Sequence, residues 1–131
     1  MEIEAKELML GDWINYLPDM FGRVTELKTG ENGEFVEVSF KNSYYKAILL
    51  KDDYFYPIPL TDDILKLNGW QFGTNGEWKK EKCLIELETG EEGGYYVYVG
   101  DARVFVDSVH NLQHLLKFAG FRELADNFVV Q

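Results

Sequence analysis

The sequence predicts an α+β fold. It divides into an N-terminal barrel-like or bent antiparallel β region, a central helix, and a three-stranded antiparallel unit with a C-terminal helix. Three observations carry this reading. Aromatic residues make up 15% of the 131 residues and gather on strand-like stretches, which favours a β-rich core filled by large rings. Short alternating runs bounded by Gly, Asn and Asp recur in both halves. Two stretches, 61–69 and 108–120, combine a helix-starting residue, apolar spacing of three and four, and a stopping glycine.

Glu2–Met9 fits a short helix or an arm. Gly11-Asp12 then turns into a strand through Trp13–Tyr16, which Leu17-Pro18-Asp19 breaks. Gly22–Leu27 is a second strand, and Thr29–Gly33 a hairpin loop with Asn32-Gly33 as its turn dipeptide. Phe35–Phe40 follows, with Val36, Val38 and Phe40 on one face; Lys41-Asn42-Ser43 leads to a strand over Tyr44–Leu50. Lys51-Asp52-Asp53 leads to a last aromatic strand ending at Tyr56, because Pro57 and Pro59 have no N–H to donate. Leu10-Gly11-Asp12-Trp13 with Gly22-Arg23-Val24 resembles the first hairpin of SH3-like barrels.

Thr61 is placed to cap the central helix, with Asp62 and Asp63 in its first turn and Gly69 as its stop. Thr74–Glu77 is a turn, and Trp78–Glu88 reads as one long strand with Cys83, Ile85 and Leu87 on its inner face. Thr89–Gly94 is a loose acidic connection to Tyr95–Val99, and Gly100-Asp101 turns into Arg103–Val106. Strand alternation puts Val97, Val99, Val104 and Val106 inward and Tyr96, Tyr98, Arg103 and Phe105 on the opposite face. Asp107 or Ser108 starts the closing helix, whose stripe is Val109, Leu112, Leu115, Leu116 and Ala119. A short turn is expected in the tail from Phe121. Leu65–Trp70 and Leu116–Phe121 share the form Leu-Lys-apolar-x-Gly-aromatic, which one helix-stop geometry explains. The division expected is a β-rich region over 1–60 and a mixed region over 61–131, tied into one unit.

The formal net charge is −10, from 23 acids and 13 bases. There are 11 acids and 6 bases up to Leu60 and 12 and 7 after it, so each half carries −5. The mean field repels nucleic-acid phosphate. The dense basic run, Lys79-Lys80-Glu81-Lys82, reads as a solvated hairpin flank. Cys83 is the single cysteine and fits an inert core thiol. The N-terminal acids and the lack of a long apolar segment point to a cytoplasmic chain and away from a membrane.

Asp107, His110 and His114 form a candidate metal set, since residues four apart share a helix face. A helical projection turns that face to solvent, and no further ligand is marked. Gly90-Glu91-Glu92-Gly93-Gly94 is glycine-rich, but its carboxylates would repel a phosphate. No nucleophile motif is present, so no catalytic residue and no cofactor is assigned. Tyr96, Tyr98, Arg103 and Phe105 form the candidate partner-binding face, because Tyr and Arg concentrate at interface hot spots; the competing reading covers that face with a helix.

Three stretches carry a family resemblance. They are Val109-His110-Asn111-Leu112-Gln113-His114-Leu115 with Phe118-Ala119 and Glu123-Leu124, Ile58–Leu65 through Gly69, and Leu10-Gly11-Asp12-Trp13. Together they resemble small uncharacterised proteins of gut anaerobic bacteria and of their phages and mobile elements. The ending Ala119-Gly120-Phe121 departs from that pattern. The family brings no established activity, so the resemblance implies no catalytic residues. The expectation is a non-enzymatic, cytoplasmic protein-interaction module borne by a phage or mobile element, its protein partner unidentified. The alternatives are a nucleic-acid-related protein (an SH3-like binder or an acidic nucleic-acid mimic) and a metal-dependent enzyme using His110 and His114.

Overall fold

A computed structural model describes residues 3, 8–16, 20–30, 33–40, 45–49 and 55–131. The expectations placed on 2, 4–7, 17–19, 31–32, 41–44 and 50–54 lie outside the described residues; these include the N-terminal arm, the Asn32 turn, Tyr44 and Tyr54. The chain forms two compact units, 1–58 and 59–131. The class is α+β, with two antiparallel sheets and three helices among the described residues. Among the described residues no helix is long and apolar enough to cross a membrane.

The first unit is a meander of β1 (Trp13–Asn15), β2 (Phe21–Gly30), β3 (Gly33–Phe40) and β4 (Tyr45–Leu49), hydrogen-bonded in that order. Phe55 and Tyr56 lie along β1 and the segment before it: Tyr56 exchanges backbone hydrogen bonds of 2.9 and 3.0 Å with Asn15, and Ile3 N–H donates to Phe55 O at 2.7 Å. The β2–β3 register slips between Val24 and Glu26, a bulge of the kind that bends a long strand. Alternation puts Val36, Val38 and Phe40 inward with Ile14, Val24 and Phe55, and Tyr16 packs its ring 6.1 Å from Phe40 and 6.0 Å from Phe55. The Gly11-Asp12 turn is held from within, because buried Asp12 accepts the Met9 N–H on Oδ2 at 2.8 Å.

The second unit begins with α1 (Asp62–Leu67). Thr61 caps it, its hydroxyl accepting the Ile64 N–H at 3.2 Å, and the two aspartates occupy the first turn. Gly69 ends it at φ +86°, a conformation that costs a residue with a Cβ. The next amide, Trp70 N–H, reaches back to Leu65 O at 3.0 Å. The closing helix ends the same way, with Phe121 N–H on Leu116 O at 2.8 Å after Gly120. The shared sequence form is thus a shared cap.

The sheet that follows has five strands, where the sequence suggested three. They are β5 (Gln71–Phe72), β6 (Glu77–Lys79), β7 (Glu86–Thr89), β8 (Tyr95–Val99) and β9 (Ala102–Val106), each paired with its neighbour in sequence. The expected long strand Trp78–Glu88 is a hairpin: Trp78 pairs with Leu87 and Glu77 with Glu88. The chain reverses through the polar run after Lys80, where Cys83 N–H donates to Lys80 O at 3.1 Å and Lys82 takes φ +64°. Cys83 is therefore half-buried in a loop and not in a strand core, and Leu84 beside it is exposed. Trp78 is buried, edge-on to Phe72 at 5.2 Å.

Ser108 precedes α2 (Val109–Phe118), and α3 (Arg122–Asp126) packs against it. Of the expected stripe, Val109, Leu112 and Leu116 are buried and Leu115 and Ala119 half-buried, and His110 and Gln113 are buried with them. Buried Gln113 donates from Nε2 to Ala125 O at 3.1 Å, so the tail covers a second flank of α2. The tail is latched again at Asn68. Its side chain donates to Val129 O at 2.7 Å and accepts Val129 N–H at 2.8 Å.

Candidate functional site

The outer face of β7, β8 and β9 gathers one set of side chains by register. Glu86 stands opposite Tyr98 and Glu88 opposite Tyr96; Tyr96 in turn stands opposite Phe105, and Tyr98 opposite Arg103. Residues directly opposite in an antiparallel pair share a face. The four residues expected to share a face therefore do, and Glu86 and Glu88 join them. The competing expectation of a covering helix is not met: Phe105 is 50% exposed, Arg103 is exposed, and Tyr96 and Tyr98 are half-buried.

On the inner face Tyr95, Val97 and Val106 are buried, as alternation requires. Val99 is only half-buried and Val104 is exposed. Both were expected inside. Val104 lies on β9, an edge strand with β8 alone beside it, so it gains cover from one side only.

The outer face is pre-set by its own contacts. The Arg103 guanidinium lies 3.7 Å from the centre of the Tyr96 ring, a cation–π stack. Phe105 meets Tyr96 edge-on, with centroids 5.4 Å apart at 62°. The Tyr98 hydroxyl donates to Glu88 Oε2 at 2.7 Å. That hydrogen bond to a carboxylate, then partial desolvation and the negative charge itself, holds the Tyr98 phenol above its ordinary range, with Arg103 opposing. Further along, Glu77 shares a hydrogen bond with Glu86, and their mutual repulsion adds to it; the Glu77 carboxyl is raised as a result, with Lys79 opposing. Lys79 Nζ lies 3.5 Å from Glu86 and 3.9 Å from Glu77.

Beside the rings the β7–β8 turn forms one wall of an open concavity of about 610 Å³, bordered by Glu88, Glu91, Glu92, Tyr96, Arg103 and Phe105. Gly90 N–H donates to Gly94 O at 2.9 Å and closes the turn. Gly94 sits at φ +68°, and a Cβ there would lie 2.4 Å from Phe105 Cζ. The absent side chain is thus the space in which the Phe105 ring lies. Sequence reasoning treated Glu91 and Glu92 only as charges that repel phosphate and gave Glu88 no role. The signal for Glu88 was present, since Glu86 and Glu88 alternate outward across a turn from Tyr98 and Tyr96.

The other candidate set comes out differently. His110 is buried, at 4% exposure, and does not face solvent as the projection suggested; His114 is half-buried, its ring edge-on to His110 at 5.6 Å. The projection considered one apolar stripe, whereas the buried surface of α2 is wider than that stripe. Asp107 precedes the helix, exposed, with its backbone carbonyl accepting Leu60 N–H at 2.9 Å. Among the described residues no group of three or more His, Cys, Asp or Glu side chains is arranged to hold a metal ion.

In comparisons with known proteins, no family model, curated protein or solved structure matches this chain.

Proposed function

We propose that this chain is a non-enzymatic interaction module that binds a protein partner through the outer face of β7, β8 and β9. The observation that supports this is the exposed, pre-organised aromatic cluster in which Arg103 is stacked on Tyr96 and Phe105 lies against Gly94. Rings already fixed lose little conformational freedom on binding, and Tyr and Arg supply a large share of interface hot spots. Exposed apolar area of this kind has a cost in a soluble chain unless something uses it. A cytoplasmic setting and carriage by a phage or mobile element belong to the same reading, on the family resemblance.

The test is affinity capture from source-cell lysate at moderate salt, with the full chain as bait and mass spectrometry as readout. A stoichiometric partner held by the wild type and lost with Tyr96→Ala/Phe105→Ala is expected. A partner retained equally by that double variant, or clean beads with both baits, would refute the proposal.

A further inference from the structure

Building on the interaction-module reading, we infer that the partner presents an extended basic segment, and that it places a lysine or arginine side chain in the concavity between the Glu91-Glu92 turn and the Phe105 ring. Three carboxylates, Glu88, Glu91 and Glu92, border this space against one guanidinium, that of Arg103. Arg103 is already committed to the Tyr96 ring at 3.7 Å. Glu91 and Glu92 are exposed, and among the described residues no ion pair or hydrogen bond engages either side chain. Their backbone is nevertheless held, because the turn is closed by Gly90 N–H on Gly94 O at 2.9 Å and Gly93 N–H on Gly90 O at 3.3 Å. Two free carboxylates on a fixed turn next to a half-exposed aromatic ring are complementary to a cation carried on an apolar stem, which the ring face attracts and the carboxylates neutralise.

The surroundings point the same way. Glu77 and Glu86 already crowd one another, with Lys79 serving both, so the face as a whole has negative charge to spare. The chain's −10 would steer a cationic partner and repel an anionic one. An open face of this kind suits a polypeptide laid across it, whereas a small free cation would be expected in an enclosed pocket.

Calorimetric titration of the full chain at about 150 mM salt, where long-range fields are screened, tests the inference. The probes are a short Gly/Ser peptide carrying several arginines and its neutral citrulline counterpart. The arginine peptide should bind and the citrulline peptide should not. Glu91→Gln/Glu92→Gln should weaken binding about five-fold, the scale of two exposed charge contacts. Glu81→Gln/Glu123→Gln removes the same charge at exposed positions elsewhere and should leave the affinity unchanged. Absence of binding, an equal loss from the distant pair, or displacement of the peptide by equimolar spermidine would overturn the inference. The two proposals fail separately. Capture that is lost with Tyr96→Ala/Phe105→Ala but unchanged by Glu91→Gln/Glu92→Gln leaves an interaction face and removes its basic occupant. Capture that survives the loss of both rings removes the face itself.

Discussion

Replacing Gly94 by alanine should cost about 2 kcal/mol, and the structure says where it comes from. An L-residue at the observed φ of +68° is penalised by about 1–2 kcal/mol. The new Cβ would also stand 2.4 Å from Cζ and 2.7 Å from Cε1 of Phe105. Phe105 is half exposed, so its ring can swing outward; the cost is its edge-on contact with Tyr96, worth about 0.5–1.5 kcal/mol. Alanine stiffens the unfolded chain and returns about 0.4–1 kcal/mol. Gly76→Ala isolates the backbone contribution, because Gly76 has φ +82° but nothing within 4 Å of its would-be Cβ. Gly90→Ala should be the most damaging of the three, since its Cβ would meet the Gly93 carbonyl at 2.5 Å and backbone cannot swing aside. Urea unfolding followed by fluorescence should rank the variants Gly90→Ala, Gly94→Ala, Gly76→Ala, from least to most stable. Equal stability of Gly94→Ala and Gly76→Ala would refute the claim that Phe105 is seated on Gly94.

Two further outcomes follow from the second unit. Tyr95 is buried and donates to Asp62 Oδ1 at 2.5 Å; burial first, then the hydrogen bond and charge of that carboxylate, push its phenol well above the ordinary value of 10.0. Because the folded-state value lies above the unfolded one, the unfolded chain releases this proton first, so stability is full below about pH 10 and falls as pH rises beyond it. Ultraviolet titration of the eight tyrosines should show a late phase that Tyr95→Phe reduces, Tyr98 also being raised, and an unchanged curve in that variant would refute the assignment. Gln113→Leu should cost about 1 kcal/mol, since it removes the buried hydrogen bond to Ala125 O and leaves that carbonyl with the Phe128 N–H at 3.3 Å. Hydrogen exchange should speed up in 122–126, and uniform protection there would show that the tail is held by other contacts.

The parts of this fold written locally were legible. Thr61, Asp62, Asp63 and Gly69 mark both ends of α1 because capping is decided within a turn of chain, and Gly120 likewise ends α2, whereas Ser108 precedes α2 in extended conformation without a side-chain cap bond. The outward grouping of Tyr96, Tyr98, Arg103 and Phe105 was legible because alternation has period two and Gly100-Asp101 fixes the register. What failed depended on contacts distant in sequence. Alternation through Cys83, Ile85 and Leu87 looks alike whether Trp78 precedes them in one strand or faces Leu87 across a hairpin. The burial of His110 was hidden because it reflects the tertiary surroundings of α2, which one apolar stripe does not describe. Exposure of the aromatic face was likewise undecidable, since it turns on where the helices dock.

The strand orders described above have a consequence for how quickly the chain can reach this state. Among the described residues each of the nine strands pairs with a neighbour in sequence, and only the isolated bridges at Ile3, Asn15 and Pro59 reach further. Closing a loop costs entropy that grows only with the logarithm of its length, and non-local pairing is what slows β-proteins. Each sheet can therefore assemble hairpin by hairpin, without waiting for a distant segment. Among the described residues the long closures include the backbone bonds of Ile3 to Phe55, Asn15 to Tyr56 and Leu60 to Asp107, and the side-chain bonds of Tyr95 to Asp62 across 33 positions and Asn68 to Val129 across 61. Contacts of that span form after the local ones, so substitutions at Asn68 should act on the unfolding rate and leave the folding rate nearly unchanged. The latch at Asn68 keeps the second unit closed and has little part in building it.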